Sequence, residues 1–99
     1  MIDLPAIVGF DWDEGNARKN DKHGVSQSQA EEVFFNHPLL LLEDARHSGQ
    51  ELRYPALGKS HEGRRLHITF SLRGDGTLIR VISARDMHWK ERTLYEQAD

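Results

Sequence analysis

The stretch from Arg64 to Arg85 constrains the fold most. Leu66, Ile68, Phe70 and Leu72 alternate with His67, Thr69 and Ser71, Gly74-Asp75-Gly76 marks a tight turn, and an apolar run returns from Leu78 to Ala84. That pattern predicts a β-hairpin with one buried and one polar face. With an even-numbered loop centred on Gly74-Asp75, the apolar face of the first strand meets Thr77, Ile79, Val81 and Ser83. The polar face then meets Leu78, Arg80, Ile82 and Ala84, which places Arg80 on the same side as Arg65, His67, Thr69 and Ser71.

The rest of the chain supplies short elements to cover the apolar face. Ile7 to Asp11 reads as a strand, and Asp13 is placed to cap a helix ending at Gly24, after Lys22 and His23. That helix is almost entirely polar; Ala17 is its one clear core position, and Arg18, Lys19, Lys22 and His23 are expected to be wet. The next helix is better marked. Ser26 and Gln29 form a capping box, Val25 and Ala30 stand where a hydrophobic staple would place them, and Ala30, Val33 and Phe34 follow at helical spacing. Pro38 separates it from a buried strand, Leu39 to Glu43, followed by a polar loop from Asp44 to Gln50. Arg53 to Leu57 reads as a further strand that Pro55 keeps at an edge. Asp86 is placed to cap a last helix with Met87, Leu94, Tyr95 and Ala98 on one side. The order predicts an α+β fold, a small antiparallel sheet with two N-terminal helices and one C-terminal helix. At 99 residues, without repeat or linker, residues 1–99 are expected to form one domain.

Composition then excludes whole classes of chemistry. There is no cysteine, so disulfides, thiolate zinc sites, iron-sulfur clusters and cysteine nucleophiles are out, which suits a reducing cytoplasm. The longest aliphatic run, Leu39 to Leu42, is far short of the ~20 residues a membrane-spanning helix requires. No basic region precedes an apolar stretch at the amino terminus, so neither a membrane location nor a secretory signal is expected. The net charge of −3 conceals a division. Residues 1–52 hold 4 Lys and Arg against 10 Asp and Glu (−6), whereas residues 53–92 hold 9 against 4 (+5). A basic face built from the second half is therefore expected, and Arg53, Arg64, Arg65, Arg80, Arg85 and Arg92, interleaved with Tyr54, Trp89 and Tyr95, have the composition of a phosphate- and base-contacting surface.

Within that set Arg80 is the least ordinary. A guanidinium in mid-strand must either pair with a carboxylate or face a functional groove, since burying it alone is costly. His67 is expected beside it. A metal centre is not expected: His61 and His67 are six residues apart, out of step with zinc-site spacings, and no tight carboxylate cluster accompanies them. The glycines at 58, 63, 74 and 76 are expected in turns and make no phosphate-binding loop, and no strand-turn-helix elbow exists to present a nucleophilic serine.

Three segments carry a resemblance. Phe10-Asp11-Trp12-Asp13, then Lys22-His23-Gly24-Val25-Ser26 running into Ala30 and Val33-Phe34, and finally Arg80-Val81-Ile82-Ser83-Ala84-Arg85 followed by Glu91-Arg92 and Tyr95, resemble the BrnT family of bacterial toxins. The resemblance covers nearly the whole chain. It departs from the family pattern between Trp12 and Lys22, one residue shorter than the commoner spacing, and at Leu52, where a second basic residue is more usual. It implies a RelE-like fold and a ribonuclease that works without metal or other cofactor. It also implies a ribbon-helix-helix, BrnA-like antitoxin as partner, the two forming a hetero-oligomer that binds operator DNA through the antitoxin.

Metal-free RNA cleavage needs a group to take the proton of the ribose 2′-hydroxyl, cations to stabilise the phosphorane charge, and an acid for the leaving oxygen. Arg80, Arg85 and Arg64 are the candidates for the charge, and His67 or His23 for the acid-base chemistry, because imidazole titrates near neutrality. Lys22, Arg53, Arg65, Arg92 and Tyr95 are the candidates for substrate binding. The alternative is a non-catalytic nucleic-acid or protein-binding module acting with a DNA-binding partner, which an acidic first half and basic second half would serve equally well.

Overall fold

The computed structural model describes residues 4–17, 23–42, 46–49 and 51–98. Its strands are β1 (Gly9–Phe10), β2 (Leu40–Leu41), β3 (Arg46–Ser48), β4 (Glu51–Lys59), β5 (Arg65–Arg73) and β6 (Leu78–Asp86); its helices are α1 (Glu14–Ala17), α2 (Gln27–Glu32) and α3 (Trp89–Ala98). The sheet runs β1-β6-β5-β4-β2, with β3 also paired to β4. The fold is α+β with helices towards both termini, as expected. The sheet, however, is mixed: β1 lies parallel to β6, while the other pairs are antiparallel.

The predicted hairpin is β5–β6, and its register corrects the expected one. The turn holds four residues, Gly74 to Thr77, with left-handed φ of 60°, 56° and 88° at Gly74, Asp75 and Gly76. Glycine and, at lower frequency, Asp tolerate that conformation. Phe70 pairs with Val81 and Leu72 with Ile79, but beyond a bulge Thr69 pairs with Ser83 and Ile68 with Ala84. Ile82 is the extra residue. Because side chains alternate with a period of two, the bulge reverses the facing of the residues after Ile82. Ala84 turns into the core, fully buried, and Arg85 comes to the face that carries Arg80 and His67.

One face of the sheet is covered by the segment around α2. Val25, Ala30 and Val33 pack on Ala56, Leu66, Ile68, Phe70, Ile79, Val81 and Ala84. The helix is fixed at its start by the predicted capping box: Gln29 N–H donates to Ser26 Oγ at 3.0 Å, and Ser26 N–H to Gln29 Oε1 at 3.1 Å. The contact with β4 is close enough to demand glycine, since a Cβ at Gly58 would stand 2.4 Å from Val33 Cγ1. On the opposite face Tyr95 of α3 and Met87, just before that helix, pack on Leu57, Leu40 and Leu42.

Four other expectations are corrected. The polar loop expected over 44–50 contains β3, which pairs with β4 through Arg46–Arg53, His47–Leu52 and Ser48–Glu51. Pro55 does not leave β4 at an edge, because β5 flanks it on one side and β2 and β3 on the other. A strand residue directs its C=O and N–H to the same side, and Pro55 O accepts from Leu42 N, so the missing donor faces the junction between β2 and β3. Asp86 does not cap the last helix. It is ion-paired with Arg64, and the helix starts at Trp89, with Glu91 reaching back to accept from His88 N–H at 2.8 Å. Leu94, expected on the apolar side, is exposed. Of the first predicted helix only Glu14–Ala17 is described; residues 18–22 lie outside the described residues.

Candidate functional site

The polar face of the hairpin brings together Arg65, His67, Thr69 and Ser71 of β5 with Arg80, Ser83 and Arg85 of β6. Its cations are not loose, because the residues singled out in the sequence fall into three ion-paired groups.

The first group centres on Arg80. Its Nη1 and Nη2 donate to Asp13 at 2.9 and 3.0 Å, Asp11 Oδ2 lies 3.5 Å from Nη1, and the side chain is only 13% exposed. The fork-to-fork bond holds the Asp13 carboxyl below its ordinary pKa and raises that of Arg80. Asp13 is itself positioned: its Oδ1 accepts from Gly15 N–H, and its own N–H donates to Asn16 Oδ1. Asn16, 1% exposed, donates to the carbonyls of Asp11 and Val81 at 3.0 and 2.9 Å, tying the segment after β1 to β6.

The second group lies under the start of α3. Arg85 donates to both oxygens of Glu91 at 2.8 and 3.0 Å, and His67, its cross-strand neighbour, places Nε2 3.9 Å from Glu91 Oε2. The Arg85 bonds and the His88 N–H hold the Glu91 carboxyl down to about 2, so it is ionised at every physiological pH. Burial and then the Arg85 charge push His67 below its ordinary value, outweighing Glu91, and so favour the neutral ring. His67 Nδ1 is buried and has no hydrogen-bond partner among the described residues.

The third group stands apart from the polar face. Arg64 donates to Asp86 at 2.7 and 3.1 Å, to the carbonyls of Gly24 and His23 at 2.8 and 3.1 Å, and to Gln29 Oε1 at 3.2 Å. It therefore clamps the loop before α2 to the end of β6. His23 enters through its backbone; the Arg64 hydrogen bond lowers the Asp86 pKa, with a smaller contribution from the exposed His23 ring.

The proposed substrate-binding residues divide likewise. Arg53 is half-buried, with Nε 3.9 Å from Glu51; Arg65 places Nη2 3.6 Å from Glu96; Arg92 is exposed on α3. Tyr95, expected at the substrate surface, is instead 1% exposed with its hydroxyl donating to Pro38 O at 2.6 Å, so its ring anchors α3 and offers no face for a base. Lys22 lies outside the described residues. The sequence reading did not select Asp13, Asn16 or Glu91 for the site. Asp13, as a helix cap, and Glu91, as the third residue after His88 in a helix start, left local signals; Asn16 left none. Among the described residues no group of three His, Asp or Glu side chains is placed to hold a metal ion, and no helix is long and apolar enough to cross a membrane.

Residues 12–91 match the family model of the ribonuclease toxin BrnT of type II toxin-antitoxin systems. The chain belongs to this family. No curated protein matches the sequence. The matched span contains the two carboxylates that bind polar-face arginines through both oxygens, Asp13 on Arg80 and Glu91 on Arg85. The chain is thus a toxin whose activity is RNA cleavage and whose partners are RNA and an antitoxin, and the reading as a non-catalytic binding module gives way to a ribonuclease.

Proposed function

We propose that this BrnT-family toxin cleaves RNA without a metal ion on the polar face of β5–β6, at the group formed by His67, Arg85 and Glu91. The observation that carries the reading is a histidine paired across the strands with a guanidinium that Glu91 fixes through both oxygens. A base must be unprotonated before it can accept the ribose proton, and burial and the Arg85 charge favour that form of His67. In the proposed step the 2′-oxygen forms a bond to the adjacent phosphorus, its proton passes to His67 Nε2, the P–O5′ bond breaks, and the leaving oxygen takes a proton from water. Arg85, held by Glu91, and Arg80, held by Asp13, are the preorganised cations for the phosphorane charge. Glu91 is a positioning residue. With its pKa near 2 it is no proton donor at neutral pH. The bonds of Arg64 to the His23 and Gly24 carbonyls support a positioning role for Arg64 and His23, while Arg53, Arg65 and Arg92 serve the RNA backbone.

The partner in this reading is a ribbon-helix-helix, BrnA-like antitoxin acting in the cytoplasm, which masks the basic face and carries the toxin to operator DNA as a hetero-oligomer. The purified toxin tests the chemistry: cleavage should persist in EDTA and leave 2′,3′-cyclic phosphate and 5′-hydroxyl ends. Loss of cleavage on chelation, restored by added divalent cation, or 5′-phosphate products would overturn the metal-free mechanism.

A further inference from the structure

Next to Arg65 lies a second feature that takes no part in the bond-making steps. A polar cavity of about 450 Å³ is lined by Gly63, Arg64, Arg65, Asp86, Met87 and Arg92. Three guanidinia and one carboxylate face it, a formal balance of +2 in its lining. Their engagement is graded. Arg64 is held by Asp86 at 2.7 Å, and Arg65 has Glu96 only at 3.6 Å with a buried Nε that makes no hydrogen bond. Arg92, exposed, has no carboxylate at ion-pair distance among the described residues. Arg65 is two residues from His67 on the same face of β5, a separation of roughly 6.6 Å along a strand.

We infer that this cavity is a phosphate subsite that holds the RNA backbone phosphate next to the one being cleaved. The inference rests on the placement of cleavage at His67 and adds a backbone subsite to it. Guanidinium forks match phosphate oxygens bidentately, and a polyanion running over His67 must pass a neighbouring charged group within a nucleotide of the scissile bond. Arg92 and Arg65 supply the ligand bonds. Arg64, fixed by Asp86 and by the loop carbonyls, forms the wall and adds charge. Glu96 competes with phosphate for Arg65 only weakly at its present distance.

Binding of a fluorescent 2′-O-methyl oligoribonucleotide, which lacks the attacking hydroxyl and so cannot be cut, separates this subsite from catalysis. The observable is the slope of log Kobs against log salt, which falls by about 0.7 for each single-strand phosphate contact removed. Arg92→Ala should reduce the slope by about 0.7, and Arg92→Ala with Arg65→Ala by about that or more, up to twice it. Arg73→Ala, at the far hairpin end, should leave it unchanged. Thermal melts of the same preparations identify any variant that fails to fold, in which case Arg92→Gln, which keeps most of the stem, takes its place. Slopes equal to wild type in folded Arg92 variants would overturn the subsite, as would salt-independent binding by the wild type. A His67→Gln protein that keeps the wild-type slope but still cuts natural RNA at the wild-type rate would overturn the catalytic placement instead, so the two failures are distinguishable.

Discussion

Replacing Glu91 by Gln tests the ion-pair group beneath α3, and its effect can be worked from the structure. The carboxylate accepts from both Nη atoms of Arg85 at 2.8 and 3.0 Å and from His88 N–H at 2.8 Å, and faces His67 at 3.9 Å. These contacts move its pKa from the ordinary 4.5 to about 2. At 1.36 kcal/mol per unit such a shift corresponds to ~3 kcal/mol as a ceiling. The side chain is 22% exposed, so water screens part of this, and roughly 1–3 kcal/mol is expected at pH 7. A group whose folded-state pKa is depressed contributes stability above its unfolded value. That contribution is complete above about pH 4.5 and disappears as the pH falls toward 2. Urea denaturation of wild type and Glu91→Gln at a series of pH values is the assay, and the difference between the two curves isolates this carboxylate from Asp13, Glu51 and Asp86, whose values are also lowered. The variant should be less stable at pH 7 and the gap should close between pH 4.5 and 2. A gap independent of pH, or no gap at pH 7, would refute the assignment of that shift to the Arg85 pair.

Other outcomes rest on the same geometry. Asn16→Ala removes the donor to two backbone carbonyls, one of them in the buried interior of the sheet, and should cost roughly 1–3 kcal/mol in chemical denaturation. Gly58→Ala drives a methyl into Val33 at 2.4 Å and should destabilise by roughly 1–3 kcal/mol, with the backbone of β4 displaced. Arg80→Ala should abolish most cleavage while the protein remains folded, if its charge serves the phosphate; a lowered melting temperature with activity reduced only in proportion to unfolding, against Arg73→Ala as an exposed control, would assign Arg80 to the Asp13 ion pair alone. Expression of the toxin without its antitoxin should arrest bacterial growth, and normal growth at confirmed soluble expression would contradict toxicity.

The features legible in the sequence and those hidden in it differ for physical reasons. Alternation along residues 66–72 and a glycine-rich turn exposed β5–β6, and the Ser26/Gln29 pair exposed the start of α2, because both signals are local. The bulge at Ile82 was not visible. Two adjacent apolar residues, Val81 and Ile82, mark it only in retrospect, yet it decides that Arg85 rather than Ala84 joins His67. The β3–β4 pairing was hidden because Arg46-His47-Ser48 shows no apolar alternation and pairs through its backbone. At the site, the sequence marks the cations but not their partners. Arg80 meets Asp13 across 67 residues and Arg64 meets Asp86 across 22, contacts that no spacing rule reaches. The acidic first half and basic second half are thereby partly joined within the molecule, which tempers the basic face expected from charge counting alone. Tyr95 illustrates the same limit, since an aromatic on a helix serves a core or a base equally well until its hydroxyl is seen on Pro38.

The central claim is that His67 is the neutral base of a metal-free cleavage. Its most direct test is RNA cleavage by purified wild type and His67→Gln in excess EDTA across pH 5 to 8, with a thermal melt of each protein at every pH. The wild type should cut throughout, and the folded variant should lose about 10²- to 10⁴-fold. Cleavage by folded His67→Gln at the wild-type rate and with the wild-type pH profile would contradict the claim.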